Sequence, residues 1–328
     1  MYDSITSIEN LLEAWQEFLC GKRNKKDTQE FGRYLMKNII SLHKDLKERA
    51  YVHGKYESFK LSDPKPRDIH KSSVRDRLLH HAIYRILYPY FDKKFICDSY
   101  SCGLGKGTHK ANERFRSFSR KVSKNNTRTC WILKCDIRKF FANIDHEILM
   151  YVLEKHIMDK DTVWLLGQVI SSFNTKGKVG VGLPLGNLTS QLLVNIYMNE
   201  FDHFIKHTLR EKYYIRYADD FVFMSDDKAH LEKLIPKILC FLEEKMKLSL
   251  HPDKLFIKTL SSGLDFLGWV HFPKHKVLRT ATKKRMFRNL VKKAGKKETI
   301  QSYLGLLKHG NTRKIRQKIT KQAVGITA

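Results

Sequence analysis

Tyr217-Ala218-Asp219-Asp220 stands between two apolar runs, Tyr213-Tyr214-Ile215-Arg216 and Phe221-Val222-Phe223-Met224, and it constrains the chain more than any other stretch. The flanks are aromatic and β-branched, so the segment reads as a buried hairpin with two adjacent carboxylates at its tip. Burying like charges side by side is costly, because desolvation and repulsion raise a carboxylate pKa until one proton is retained. A bound divalent cation inverts that balance by becoming the largest local charge. Hard oxygen donors suit Mg2+ or Mn2+, with water and phosphate oxygens completing the shell. A solvated acidic turn is the competing reading for the tetrapeptide taken alone.

A second segment supports the metal. Trp131-Ile132-Leu133-Lys134-Cys135-Asp136 reads as a strand ending in a carboxylate, followed by Ile137-Arg138-Lys139-Phe140-Phe141-Ala142-Asn143-Ile144-Asp145. Strand ends of one sheet can converge although their residues are remote along the chain. Three carboxylates at one edge suit two metal ions about 3.5–4 Å apart, the spacing that clamps both oxygens of an in-line phosphoryl displacement. Such a pair would activate a primer 3′-hydroxyl and neutralise triphosphate and pyrophosphate. The chain is therefore a polymerase candidate.

Together the two segments resemble the palm of reverse transcriptases, and other motifs fall in the matching order. Pro64-Lys65-Pro66-Arg67 and Val74-Arg75-Asp76-Arg77-Leu78-Leu79-His80-His81-Ala82 are similar to fingers blocks of bacterial members. Ser99-Tyr100-Ser101-Cys102 with Gly105-Lys106-Gly107-Thr108-His109 is similar to the next block. Gly182-Leu183-Pro184-Leu185-Gly186-Asn187-Leu188-Thr189-Ser190-Gln191 occupies the place of the nucleotide-pocket motif. His251-Pro252-Asp253-Lys254 and Phe266-Leu267-Gly268-Trp269 match the late palm motif and the primer grip. The resemblance runs from about 51 to about 317.

It implies an α+β right-hand polymerase: an N-terminal helical region and fingers over 1–112, a palm over 113–270 and a basic helical thumb over 271–328. It implies an RNA-directed DNA polymerase of the group II intron-like lineage, using two Mg2+ ions or Mn2+, a template RNA and deoxynucleoside triphosphates. Asp136, Ile137, Asp219 and Asp220 are then the metal ligands, and the three aspartates are catalytic with Lys254. That Lys would protonate departing pyrophosphate or stabilise its charge; a plain surface Lys is the alternative. Arg67, Lys106, Phe141, Leu185, Gly186 and Gln191 would bind nucleotide. Phe141 occupies the steric-gate position, where an aromatic ring excludes a ribose hydroxyl. Phe140 is expected to point into the core, as successive strand residues face opposite ways, and Asp145 to cap the helix starting at His146. Leu267, Gly268 and Trp269 would grip the primer. Arg75, Lys283, Lys284, Arg285, Arg288 and Lys292 would hold nucleic-acid backbone.

The pocket block narrows the lineage. Most relatives carry Pro-Gln-Gly there, with a Pro shortly after the Ser, whereas this chain has Pro184-Leu185-Gly186 and then Ser190-Gln191. That pattern resembles the enzymes of diversity-generating retroelements, which copy a template RNA with errors at adenines and work with a small basic accessory protein. Losing the amide's polar contact would cost on the order of 1–3 kcal/mol of selectivity. The alternative is that Leu185 only packs. One departure stands out: relatives place an Arg after the Ser-Tyr-x-Cys stretch, and this chain has Gly103. Lys106, assisted by Arg67, is the expected substitute. Arg77 is read either as a phosphate contact or as a structural ion-pair partner.

Bulk properties agree. Lys and Arg total 62 against 34 Asp and Glu, a net charge of +28, which implies a polyanionic partner. From 271 onward there are seventeen Lys or Arg and one acid, Glu298. Helical spacing over 278–293 and 299–308 fits a thumb that reads duplex shape. The six cysteines lack CxxC spacing, so neither zinc nor a disulfide framework is expected. The N-terminus carries no basic leader and no apolar run approaches 18 residues, so no membrane span and a cytoplasmic setting are expected. No room is expected for an endonuclease or RNase H domain.

Apolar stripes at helical spacing mark core helices: Ile8 to Leu19 behind a Thr6-x-x-Glu9 capping box, Val74 to Leu87 ending near Pro89, Leu192 to Phe204, and Leu231 to Leu242. The basic loop Gly21-Lys22-Arg23-Asn24-Lys25-Lys26 reads as an RNA contact or as plain surface. Three functions remain open: a mutagenic retroelement enzyme, a domesticated reverse transcriptase such as a phage-defence enzyme, and a non-catalytic RNA-binding protein on a palm scaffold.

Overall fold

A computed structural model describes residues 1–62, 66–292 and 296–326. Pro64 and Lys65 of the first fingers block, with Ala294 and Gly295 between the two thumb segments, lie outside the described residues. The chain forms an α+β fold whose residues fall into two compact units, each assembled from segments remote in sequence.

The first unit comprises Met1–Gly103, Ile137–Arg210 and Ile238–Leu250 and is mainly helical. Helix Ile8–Leu19 buries Leu11, Ala14, Trp15 and Phe18 against helix Val74–Asp92, whose Leu78, Leu79, Ala82 and Ile83 are also buried. These positions recur every three or four residues, so each helix presents one apolar face. The N-cap of the first is Ser7, one residue after the Thr6 of the expected capping box; its hydroxyl accepts from the Asn10 amide at 3.2 Å. Thr6 instead turns inward and donates to the Tyr2 carbonyl. Helix Val74–Asp92 runs through Pro89 instead of ending there. A proline costs the helix one N–H bond and a clash with the preceding turn, and burial of Leu87, Tyr88 and Phe91 offsets that cost.

Helix Leu188–His203 packs on the same central helix and buries twelve of its residues. Asp145 caps helix His146–His156 as expected, accepting from the Ile148 amide at 3.0 Å. Strand β1, Glu57–Leu61, pairs antiparallel with β2, Arg67–Lys71, with Glu57 opposite Lys71.

The second unit comprises Leu104–Asp136, Glu211–Lys237 and His251–Ala328. Its four-stranded sheet contains β3 (Trp131–Asp136), β4 (Tyr214–Tyr217), β5 (Asp220–Ser225) and β6 (Phe256–Thr259) in the order β4-β5-β3-β6, every pair antiparallel. The central strands β3 and β5 each bury four consecutive residues, as strands covered on both faces do. Helix Thr108–Val122 packs on β4 and β5.

A three-stranded sheet follows, with β7 (Leu264–Phe266), β8 (Trp269–His271) and β9 (Lys276–Leu278). Trp269, Leu278, Met286, Leu290, Leu307 and Ile319 form one cluster joining this sheet to helices Thr280–Lys292, Lys297–Leu307 and Arg313–Ile326. Gly310 is required here, because a Cβ would meet the Trp269 ring at 2.1 Å. Among the described residues no helix is long and apolar enough to cross a membrane.

Both units bury neutral imidazoles. Burial pushes His80 down to about 3, helped by His53, and pushes His271 down to about 3, helped by Lys276 and Arg116. His271 shares a 2.7 Å hydrogen bond with the Asn112 side chain. The unfolded chain binds protons on these groups near 6.5 while the folded chain does not, so their contribution is complete above that pH. It is lost as pH falls from about 6.5 towards 3. Each imidazole contributes a slope of at most about 1.4 kcal/mol per pH unit. Thermal unfolding at steps from pH 7.5 to 5 should therefore show a falling midpoint, and His271→Gln should flatten the dependence. An equal dependence in the variant would assign the acid sensitivity to other groups.

Candidate active site

The register of the four-stranded sheet brings the predicted carboxylates together. Tyr217 pairs with Asp220, leaving Ala218 and Asp219 as a two-residue turn. Ala218 has φ 54°, a left-handed conformation that is strained for a residue with a Cβ. Arg216 braces it: its side chain is fully buried and donates Nη1–H to the Ala218 carbonyl at 3.2 Å. On the other side β5 pairs with β3, which sets Asp136 directly across from Asp220. Residues 84 apart in sequence are thus cross-strand neighbours.

Two lysines meet these acids. Lys134 lies two residues before Asp136, on the same face of β3, and opposite Val222, so Asp220 is its diagonal neighbour. Its Nζ donates to Asp220 Oδ1, and it sits 5.5 Å over the Phe266 ring. Lys254, in the short turn Pro252–Lys254, donates from Nζ to Asp136 Oδ1 at 2.6 Å, and the His251 amide binds the Asp136 carbonyl at 2.8 Å. Burial pushes the Asp220 carboxyl up to about 6; Lys134 opposes the rise, while Asp136 and Asp219 add to it. The charges of Asp136 and Asp219 are therefore both felt at Asp220.

Among the described residues no three His, Cys, Asp or Glu side chains are arranged to hold a metal ion. The donor chemistry nevertheless fits one. The oxygens are hard, and Asp220 carries the desolvation and repulsion that a dication relieves. Lys134 and Lys254 supply that positive charge here, so a metal would take carboxylate oxygens from them. Ile137, the fourth predicted ligand, is buried and bridges to Leu250 in the helical unit.

The nucleotide-pocket block lies in the helical unit. Leu185 is half-buried and its carbonyl accepts from the His70 amide of β2 at 3.1 Å. Asn187, buried at the start of helix Leu188–His203, accepts from Ser72 Oγ at 2.9 Å and donates to the His70 carbonyl at 3.1 Å. These bonds clamp the block to β2. Gly186 and Gln191 line a cavity of about 370 Å³ together with Lys22, Ile69, Lys71 and Arg77.

Phe141 is half-buried in a 3-10 turn, Phe140–Asn143, and its carbonyl accepts from the Leu183 amide at 2.8 Å. Phe140 is buried as expected, but by the geometry of that turn and not by strand alternation. Arg77 resolves as an ion-pair partner, bonding Asp27 at 2.6 Å and not its neighbour Asp76. Arg75 is bonded to Asp45 and stacked on Tyr51 at 5.0 Å, while Arg67 is exposed on β2.

Lys106 is half-buried between Gly105 and Gly107, both at positive φ. Leu267 and Gly268 form the two-residue turn between β7 and β8, with φ 48° and 87°, and Trp269 behind them is buried. On helix Thr280–Lys292, Lys284, Arg288 and Lys292 are exposed opposite the buried Met286 and Leu290, Lys283 is exposed and Arg285 is half-buried.

Two residues of the acidic cluster escape a motif reading: Lys134 and Arg216. The available signal is a charged residue inside an otherwise apolar strand, since a buried charge requires a partner.

A model of the reverse transcriptase (RNA-dependent DNA polymerase) family matches residues 60–271, more than half of the chain. The chain belongs to the reverse transcriptase family. It is 27% identical to protein YkfC of Escherichia coli over 63% of this chain and 63% of that protein. It is 23% identical to the group II intron-encoded protein LtrA of Lactococcus lactis over 64% of this chain and 45% of that protein. The chain thus spans less than two thirds of either relative. Among solved structures, apo telomerase from Candida tropicalis matches with a TM-score of 0.56 at 12% identity, covering 84% of this chain and 57% of that one. The fold is therefore the right-hand polymerase fold of reverse transcriptases.

Gly186 has φ +106°, and a Cβ there would lie 2.9 Å from Ile69 Cγ2. Gly186→Ala should therefore destabilise the protein by about 1–3 kcal/mol, read from the urea midpoint. An unchanged midpoint would mean that the turn relaxes freely.

Proposed function

We propose that this chain is an RNA-directed DNA polymerase that copies a template RNA into cDNA from deoxynucleoside triphosphates. The observation that carries the proposal is the pairing of β3 with β5, which sets Asp136 opposite Asp220 with Asp219 at the adjoining turn. Asp136, Asp219 and Asp220 would hold two Mg2+ ions, or Mn2+. When bound, these supply activation of a primer 3′-hydroxyl and neutralisation of the triphosphate and pyrophosphate. The remaining work belongs to the protein.

Lys254, already bonded to Asp136, carries an ammonium that can stabilise or protonate departing pyrophosphate. Phe141 acts as the ribose gate. Arg67 and Lys106 hold the triphosphate in place of an Arg at Gly103. Leu267, Gly268 and Trp269 position the primer. The exposed cations Lys284, Arg288 and Lys292, spaced every fourth residue, track duplex backbone. In this reading fingers cover 1–112, palm 113–270 and thumb 271–328, and the setting is cytoplasmic.

Within the family we favour the mutagenic retroelement role, served by a small basic accessory protein. The support is Leu185, which offers only an aliphatic side chain and its main chain where most relatives carry a glutamine. A domesticated enzyme making cDNA for another purpose has the same chemistry and differs in its error spectrum.

Asp136→Asn or Asp219→Asn should abolish primer extension on a defined RNA while RNA retention on a filter stays within about threefold. Normal extension by either variant would refute the assignment. Sequencing the cDNA from the same reaction reports fidelity. Leu185→Gln should lower misincorporation opposite adenine by about tenfold, as 1–3 kcal/mol of discrimination implies. An unchanged spectrum would place fidelity elsewhere. Phe141→Ala should admit ribonucleotides, and continued exclusion would move the gate to another residue.

A further inference from the structure

We propose that Lys134 is a built-in counter-ion that competes with divalent metal for Asp220 and thereby sets how tightly the acidic cluster holds metal. The inference rests on the metal-binding reading above. Lys134 is 8% exposed, yet it lies in a strand whose neighbours Leu133 and Cys135 are fully buried. A long charged side chain at such a position normally reaches for water. Here it cannot, because Asp220 and the face of Phe266 enclose the ammonium.

Lys254 differs. Its side chain is 37% exposed at the end of a short turn, so it can leave Asp136 for solvent or substrate. Lys134 is held by the strand itself, and its charge stays beside Asp220 whatever else binds. An ammonium donates to a carboxylate but offers no lone pair to a metal, so the two cations cannot share one oxygen lone pair. The nearby fixed positive charge also lowers the attraction of the whole cluster for a dication, and it does so strongly where water is scarce. The Phe266 ring gives the ammonium a seat once Asp220 is shared.

The arrangement balances two demands. Without Lys134, Asp220 would be a half-buried, unpaired carboxylate facing two other acids, which weakens the metal-free fold. With it, the metal-free protein is stable and metal remains exchangeable. Removal of the charge should therefore strengthen metal binding and weaken the metal-free protein together, since a ligand stabilises the state that it binds.

The test is Mn2+ binding to the protein without nucleic acid at one fixed pH, read from the electron paramagnetic resonance signal of free Mn2+, alongside thermal unfolding. Lys134→Met should bind Mn2+ at least tenfold more tightly than wild type, and its melting temperature should rise more on adding Mn2+. Lys134→Arg, which keeps the charge, should bind like wild type. Equal or weaker binding by Lys134→Met overturns the proposal and leaves Lys134 a structural residue. Absence of saturable Mn2+ binding in wild type, or its persistence unchanged in Asp219→Asn, would instead sink the metal-binding reading itself. If Lys134→Met does not fold metal-free, titrating Mn2+ into the refolding reaction must recover native protein; failure to recover it counts against the proposal.

Discussion

The antiparallel pairing of β3 with β5 is the interaction on which the site depends. Strand register is discrete, because a shift by one residue turns every side chain to the opposite face. With Trp131 opposite Ser225 the ladder ends on Asp136 opposite Asp220. In that register Ile132, Leu133 and Cys135 on one strand and Phe221 to Met224 on the other are all buried. The proximity of the acids is thus tied to core packing. The acids converge because the ladder that packs these apolar residues also ends there.

Concentrating acids at a sheet edge creates an electrostatic problem that the same unit answers locally. Lys134 and Lys254 reach Asp220 and Asp136 from a strand and from a turn, and Arg216 holds the strained Ala218 from beneath. None of these cations is a surface ornament of a basic protein. They are placed by secondary structure, and two of them are buried. Surplus charge elsewhere is placed differently: the outward cations Lys284, Arg288 and Lys292 of helix Thr280–Lys292 sit opposite its apolar face, so that charge costs the core nothing.

Much of this was legible from residue patterns. The hairpin, the strand ending at Asp136, the Asp145 cap and the main helical stripes all follow from periodicity and local chemistry. The misreadings differ in cause. Thr6 looked like a cap because Glu9 followed at the right spacing, but the chain enters the helix one residue later and Thr6 is spent on an inward bond. Pro89 looked like a stop, yet packing of Tyr88 and Phe91 carries the helix past it. Phe140 and Phe141 looked like strand residues, but the strand ends at Asp136 and Lys139 at φ 46° leads them into a 3-10 turn instead. Packing decided the outcome at Pro89, and an alternative local bond or turn decided it at Thr6 and at Phe140 and Phe141.

The sequence by itself determined the candidates for chemistry: the three aspartates, a lysine behind a proline turn, and a glycine-containing block before a buried helix. These are local in origin, because residue type and short spacing decide what a segment can do. Tertiary structure alone decided what each charge faces. Arg77 could pair with a neighbour or a phosphate, and its partner proved to be Asp27, 50 residues away. Lys134 was one cation among 62 basic residues until the sheet laid it diagonally across from Asp220. Electrostatic partnership depends on distance in space, which one strand's residues cannot report until a second strand has been laid beside it.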